Sequence, residues 1–114
     1  MIRRIDNGPR MSGAVVSAGH VFISGQVADD RTVHIEGQTQ QVLAKIDRYL
    51  EEAGTSRANL VMVNVFLPNI LDFDAMNRVY EAWITPGSAP ARATVEARLA
   101  NPNLRIEISA IAAV

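Results

Sequence analysis

The sequence predicts an α/β (α+β) fold in which a mixed β-sheet carries two helices on one face. Pairs of β-rich runs near the two ends of the chain enclose two segments whose apolar residues recur at helical spacing. A short, almost wholly apolar run over 59–67 lies between the helical segments and is typical of a buried strand. The predicted order is therefore hairpin, helix, strand, helix, hairpin, and both apolar helix faces are most simply buried on one side of the sheet.

The first two predicted elements are a hairpin and a long helix. Residues 13–28 contain two β-rich runs, and Gly19 between them can adopt the positive φ of a tight turn. Over 35–50 the apolar residues recur at helical spacing, whereas Gln38 falls among the polar positions on the other faces. Gly54 is placed to end this helix, since glycine readily adopts the left-handed conformation that follows a helix.

The central strand and the second helix follow. The strand over 59–67 ends at Pro68, which cannot donate a backbone hydrogen bond to a neighbouring strand. Asp72 is predicted to cap the second helix, with Leu71 and Met76 forming a hydrophobic staple across its first turn. The apolar stripe of this helix is predicted to consist of Phe73, Met76, Tyr80 and Trp83.

The last quarter of the chain contains two predicted strands, 92–99 and 104–112, joined by a turn at 100–103. If these strands pair as a hairpin, Arg92 and Glu107 lie on the same face of the sheet. We expect that face to point away from the helices and to combine polar residues with exposed apolar area. Because monomers rarely expose large surfaces of this kind, we expect other subunits to cover it.

Length and composition restrict the class of protein. A chain of 114 residues is the usual size of one domain, so we expect a single domain over 1–114. The 11 basic and 12 acidic residues leave a net charge of -1, which counts against a nucleic-acid or membrane partner bound by charge. No run approaches the roughly 18 apolar residues of a membrane span, and the N-terminal residues lack an apolar signal region, so we expect a cytoplasmic protein.

Several common catalytic and binding motifs are absent from the sequence. His20 and His34 lack a second histidine or a carboxylate at ligand spacing, so we expect ordinary surface histidines and no metal site. Ser24 has no Gly-x-Ser-x-Gly context that would make it a nucleophile. There is no cysteine, and neither a glycine-rich nucleotide loop nor a Walker motif is present.

Two charged residues in the predicted terminal strands remain as candidates. Arg92 follows a loop rich in proline and glycine and lies between small alanines, so its fork of donors could bind a carboxylate. The pattern alone favours a surface arginine that pairs with a nearby acid. Glu107, between Ile106 and Ile108, could act as a general base if it is partly buried, but the pattern alone favours a solvated strand face.

Short motifs over nearly the whole chain occur in an order and at a spacing that are specific together, although each motif is weak alone. They are Phe22-Ile23-Ser24-Gly25-Gln26-Val27, Gln38-Thr39, Val65-Phe66-Leu67, Asp72-Phe73, Met76-Asn77, Pro90-Ala91-Arg92, Val95-Glu96 and Glu107-Ile108-Ser109-Ala110-Ile111-Ala112. In this combination the chain resembles the reactive intermediate deaminase family, also called the RidA or YjgF family.

The resemblance implies a fold similar to that of chorismate mutase and a homotrimer with sites in clefts between subunits. It implies hydrolysis of reactive 2-imino or enamine acids to 2-oxo acids and ammonia, with no metal or organic cofactor. By motif, Arg92 is similar to the arginine that binds the substrate carboxylate, and Glu107 to the glutamate that positions the attacking water. The residues that resemble the lining of the family's cleft are Ser24, Gly25, Asn77 and Thr94, the last standing where many members carry cysteine.

The resemblance also leaves an alternative function open. The segment Arg10-Met11-Ser12 after Gly8-Pro9 is similar to a family subgroup with an Arg-x-Ser sequence at this place. Some relatives are described as ligand-binding, regulatory, chaperone-like or RNA-cleaving proteins. A carboxylate-binding regulatory or chaperone-like trimer without turnover is therefore the alternative, whereas the near-neutral charge and the lack of a basic stripe count against RNA cleavage.

Overall fold

In a computed structural model that describes residues 1–114, the chain forms one mixed six-stranded sheet with both α-helices on one face. The molecule is 20 Å thick in its shortest dimension, which corresponds to one layer of helices on one sheet. The fold class predicted from the sequence is therefore confirmed. The strands are β1 (Arg3–Ile5), β2 (Ala14–Ser17), β3 (His20–Gln26), β4 (Leu60–Leu67), β5 (Ala91–Glu96) and β6 (Glu107–Ala113).

Two α-helices form the second layer: α1 (Ile35–Glu52) and α2 (Phe73–Trp83). α1 ends as predicted, because Gly54 adopts a φ of 83° and its N–H, like that of Thr55, donates back to a carbonyl of the last turn. Neither helix combines the length and the apolar character needed to cross a membrane.

The start of α2 differs from the prediction. Asp72 makes no capping hydrogen bond and instead ends a 3-10 turn, Ile70–Asp72. The side chain of Asn69 caps this turn by accepting a hydrogen bond from the N–H of Leu71. Leu71 is 86% exposed because the turn points it outward, so it does not form a staple with Met76.

The prediction that the last two strands pair with each other is wrong. β4 lies between them, parallel to β5 and antiparallel to β6. α2 is the crossover connection from β4 to β5, and a crossover of this length returns the chain parallel to the strand that it left. The segment 97–106 then carries the chain past β4, and β6 is inserted between β3 and β4.

The hydrophobic core lies between the helix layer and the central strands. β4 and β6 direct alternate residues toward the helices, and the neighbours Val65 and Ile108 are wholly buried there. Val42 and Ile46 of α1 pack into the same core and are also wholly buried. Burial of one such side chain contributes about 1.5–3 kcal/mol, so these residues determine which face of each strand points inward.

The first hairpin forms as predicted and has a tight turn. β2 and β3 pair antiparallel with Ser17 opposite His20, so Ala18 and Gly19 alone form the turn. Their φ values are 51° and 78°, which places both residues in the left-handed region, as in a type I′ turn. Gly19 adopts this conformation without strain, whereas the Cβ of Ala18 makes it unfavourable.

Ala18→Asn should therefore stabilise the protein. Asparagine tolerates the left-handed region better than alanine, and Asn-Gly is the preferred sequence of this turn. Ala18 is exposed, so no packing is lost, and we expect the free energy of unfolding to rise by about 0.5–1 kcal/mol in urea titrations. Ala18→Val should lower it, and an unchanged or lower value for Ala18→Asn would contradict the strain at Ala18.

The face of the sheet opposite the helices is partly apolar. One row across five adjacent strands consists of apolar side chains in register, and Phe22 in this row is 45% exposed. We call these residues the apolar row: Val15, Phe22, Ile111, Met62 and Ala91. The expected combination of apolar and polar residues on this open face is therefore present, with Glu107 further along the same side of the sheet.

Candidate active site

Arg92 lies at the edge of the sheet and on its helix face. It is in register with buried Val63, and its Nη1 donates to Oδ1 of Asn77 on α2 at 2.7 Å. The guanidinium carbon lies 4.7 Å from the centre of the Tyr80 ring and 5.8 Å from the centre of the Phe73 ring. One hydrogen bond and two cation–π contacts therefore hold the guanidinium in a defined orientation.

The positive charge of Arg92 has no acidic partner within the chain. None of the five ion pairs in the structure includes Arg92, so its interpretation as a surface arginine paired with a nearby acid is wrong. Asn77 is neutral, and burial raises the pKa of Tyr80, although the charge of Arg92 opposes this effect. The half-buried guanidinium is consequently surrounded by uncharged groups, which suits the binding of an external anion.

Glu107 begins β6 on the opposite face of the sheet. Ile106 and Ile108 beside it are wholly buried toward the helices, so strand alternation directs Glu107 to the open face. Its carboxylate lies over Gly25, where an added Cβ would overlap it. Glu107 is half-buried and forms no ion pair in the chain. The carboxylate thus lies against backbone that has no side chain at Gly25.

A β-bulge in β3 makes room for the Glu107 carboxylate. The register of β3 against β6 shifts between Ile23 and Gln26, so two residues, Ser24 and Gly25, occupy the place of one. The Ser24 hydroxyl donates to the carbonyl of Gly13 at 2.9 Å and accepts from Nε2 of Gln26 at 3.1 Å. Since its only O–H is engaged, Ser24 shapes the bulge and is not poised as a nucleophile.

Thr94 lies two residues beyond Arg92 on the same face of β5. Its neighbour in the parallel ladder is Val65, a wholly buried core residue. The Thr94 hydroxyl is buried and has no hydrogen-bond partner. A buried hydroxyl without a partner is unfavourable by about 1–3 kcal/mol. Thr94 therefore shares the helix face of β5 with Arg92, two residues further along the strand.

The expectation that Arg92 and Glu107 share a face of the sheet is wrong. Arg92 is in register with Val63 and Glu107 with Phe66, and Val63 and Phe66 point to opposite faces of β4. The two residues are also separated by about 10 Å along the strands and about 10 Å across two strand spacings. The expectation depended on a terminal hairpin, and that hairpin does not form because β4 lies between β5 and β6.

The predicted site residues thus form two separate groups within one chain. The Arg92 half-site comprises Arg92, Asn77 and Thr94 with the two aromatic residues Phe73 and Tyr80. The Glu107 half-site comprises Glu107, Ser24 and Gly25. The sequence assigned Phe73 and Tyr80 only to an apolar stripe, although their spacing around Asn77 places all three on one side of α2.

The largest concave region of the surface lies elsewhere. It is a groove of about 500 Å³ between α1 and α2, and it contains neither Arg92 nor Glu107. Its polar groups bind one another: Asp47 accepts from the Trp83 indole N–H at 2.9 Å and pairs with Arg57 at 3.1 Å. The Asp47–Trp83 contact connects the two helices, so these polar groups are explained by helix packing and not by a ligand.

Comparison with known proteins identifies the class. A family model described as Endoribonuclease L-PSP matches residues 1–114. The chain therefore belongs to this family, whose members also carry the names RutC and YjgF.

Three similar proteins cover almost the whole chain. A RutC family protein of Haemophilus ducreyi is 43% identical over 114 residues, which are 100% of this chain and 97% of the relative. The RutC family protein YoaB of Escherichia coli strain K12 is 37% identical over 99% of this chain and 98% of its own. The crystal structure of a YjgF family member from Neisseria meningitidis has a TM-score of 0.96 and 42% identity, covering 99% of this chain and 94% of that chain.

Proposed function

We propose that the protein hydrolyses reactive 2-imino and enamine acids to 2-oxo acids and ammonia, in clefts between the subunits of a homotrimer. The observation that carries the proposal is the environment of Arg92: a half-buried, oriented guanidinium with no acidic partner in the chain. A planar fork of donors of this kind matches the two oxygens of a carboxylate. The family resemblance supplies the reaction, and the net charge of -1 gives no general attraction for RNA.

The separation of the two half-sites supports a site shared between subunits. A small acid cannot contact Arg92 and Glu107 of one chain, because these residues lie on opposite faces of the sheet. In a cyclic homotrimer, the Glu107 half-site of one subunit can face the Arg92 half-site of its neighbour. Burial of the apolar row on the open face would provide the hydrophobic contact for such an assembly.

The chemistry assigned to the two half-sites is complementary. Arg92 binds the substrate carboxylate and fixes the adjacent C=N carbon. Water adds to the carbon of the protonated imine as the Glu107 carboxylate accepts a proton from the water, which forms a neutral carbinolamine. The protonated Glu107 then donates this proton to the carbinolamine nitrogen, and the C–N bond breaks as ammonia leaves. The hydroxyl group gives its remaining proton to the Glu107 carboxylate, and its oxygen becomes the ketone oxygen. An enamine is first protonated on carbon to give the same imine.

The reaction is tested by generating a 2-imino acid in situ with an amino-acid oxidase and measuring release of ammonia and 2-oxo acid. The purified protein should accelerate release above the uncatalysed rate, without added metal or cofactor. Binding of 2-oxo acids with no acceleration would overturn the proposal and favour the carboxylate-binding regulatory or chaperone-like trimer. Light scattering on the same preparation should give a molar mass three times the monomer mass of 12.4 kDa. A monomeric mass would exclude a site shared between subunits.

Mixed oligomers test whether the site is shared. Arg92→Ala and Glu107→Gln subunits should each form inactive homotrimers, but co-refolded mixtures should regain activity. An interface is complete when a subunit with intact Arg92 faces one with intact Glu107, so random mixing should restore about a quarter of wild-type activity. If both residues acted within one chain, every subunit in the mixture would remain defective and no activity would return.

A further inference from the structure

Gln38 is one of two wholly buried polar residues outside the two half-sites. It lies in the first turns of α1 and is 0% exposed, although the sequence pattern places it on a polar face. A buried amide is unfavourable unless its hydrogen-bonding groups have partners. Gln38 satisfies this condition, because Nε2 donates to the carbonyls of Val33 at 3.1 Å and Asn103 at 3.0 Å, and Oε1 accepts from the N–H of Arg105 at 2.9 Å.

The contacts with Asn103 and Arg105 reproduce strand pairing. In an extended chain, the carbonyl of one residue and the N–H of the second residue beyond it point to the same side. The Gln38 amide donates to that carbonyl and accepts from that N–H, as a peptide group of a neighbouring strand would do. Gln38 therefore takes the place of a strand beside residues 103–105, immediately before β6.

This pairing determines how the chain enters the Glu107 half-site. Glu107 lies two residues beyond Arg105, and the intervening Ile106 is wholly buried. The backbone therefore has little freedom between the Gln38 contact and the carboxylate. The other two contacts, with the carbonyls of Val33 and, at 3.4 Å, of Arg31, fix the segment that follows β3, the strand that carries Gly25 under the carboxylate. Both chain segments that flank the Glu107 half-site thus converge on one amide.

We propose that Gln38 is a positioning residue that holds the Glu107 carboxylate at its working place over the β3 bulge. The effect on turnover rests on the proposed function, whereas the effect on the backbone does not. Gln38→Met keeps the length and volume of the side chain but removes all four of its side-chain hydrogen bonds. The backbone of residues 103–105 would then lose its pairing partner, and Glu107 would shift or become mobile.

Thr39→Val is the matched control. Thr39 is also 0% exposed, and its hydroxyl donates only to the carbonyl of Ile35 within the same helix, at 2.7 Å. Both substitutions remove buried side-chain hydrogen bonds from neighbouring positions of α1. Only Gln38→Met removes contacts with the segment before β6. A general loss of stability would therefore affect both variants, whereas a loss of Glu107 positioning would affect only Gln38→Met.

The experiment combines amide hydrogen exchange with steady-state kinetics of imine hydrolysis. Gln38→Met should accelerate exchange in residues 103–107 and lower kcat by about 10-fold or more, with KM changed less than about 2-fold because the Arg92 half-site is intact. Thr39→Val should change neither exchange in this segment nor kcat. If Gln38→Met does not fold, Gln38→Asn, whose amide is one methylene too short to reach all partners, replaces it.

The outcomes separate this inference from the proposed function. Absence of turnover in the wild-type protein would refute the deaminase proposal, and hydrogen exchange would still test the Gln38 contact. Unchanged exchange in residues 103–107 of the Gln38 variant would show that Gln38 does not hold this backbone segment, which would overturn the inference. Faster exchange in the Gln38 variant, with a kcat equal to that of Thr39→Val, would show that holding this segment does not position the Glu107 carboxylate, which would also overturn it.

Discussion

Arg92→Ala should reduce kcat/KM for imine hydrolysis by about 10²–10⁴-fold. Two charge-assisted hydrogen bonds to a carboxylate are worth about 1.5–3 kcal/mol each, and alanine removes both. The loss should be large because Asn77, Tyr80 and Phe73 orient the guanidinium before substrate binds, so little of the binding energy is spent on ordering it. Initial rates over a range of imine concentrations measure the effect.

Arg92→Lys should not restore activity. Lysine keeps the charge but replaces the planar fork with a single ammonium group, which cannot bind two carboxylate oxygens and also donate to Asn77 in the same geometry. Arg98→Ala is the charge-matched control, because Arg98 is exposed and forms no ion pair. Near-normal turnover of Arg92→Ala in an intact oligomer would show that Arg92 is structural and would refute the carboxylate site.

The helices and the buried strands could be predicted from local patterns. α1 appears in the sequence as a helical spacing ended by Gly54, and β4 as a short apolar run, because burial imposes these periodicities on neighbouring residues. β1 has no such signal. It consists of three residues, two of them exposed arginines, and its place at the edge of the sheet depends on pairing with β2.

The order of the strands could not be derived in the same way. Two strands that are consecutive in sequence usually pair, and this tendency favours a terminal hairpin. Here the crossover through α2 places β5 on the outer side of β4, so β6 finds its partners on the inner side. The strand order is determined by pairing between segments that are distant in sequence, so no local pattern in residues 92–112 predicts it.

Strand order also decided how much of the candidate site could be predicted. The family motifs predict Arg92 and Glu107 as site residues, but their relative position depends on strand order, and the expected shared face depended on the hairpin that does not form. The roles of Tyr80 and Gln38 could not be predicted for a second reason. An aromatic residue on an apolar stripe and a glutamine at a polar position are common in helices. Only the fold places Tyr80 against the Arg92 guanidinium and Gln38 beside Arg105.

Glu107→Gln should lower kcat by about 10²–10⁴-fold while leaving 2-oxo acid binding nearly unchanged. Glutamine has the same shape, so it fits over Gly25 as the carboxylate does, but it cannot accept a proton from water. Binding should persist because it depends on Arg92, in the other half-site. Glu51→Gln is the matched control, since Glu51 is exposed on α1 and forms no ion pair.

The competing explanation is that Glu107 acts only through its charge, by balancing a positive group near the ligand. Its removal would then change affinity or stability more than the rate at saturation. Glu107→Asp distinguishes the two roles further, because aspartate keeps the charge but withdraws the carboxylate by about 1.5 Å from its place over Gly25. Kinetics and calorimetric binding of a 2-oxo acid are measured on the same trimeric preparations. If both variants lose turnover and retain binding, Glu107 is the base. If Glu107→Asp is fully active, or Glu107→Gln turns over normally at saturation, charge alone accounts for the residue.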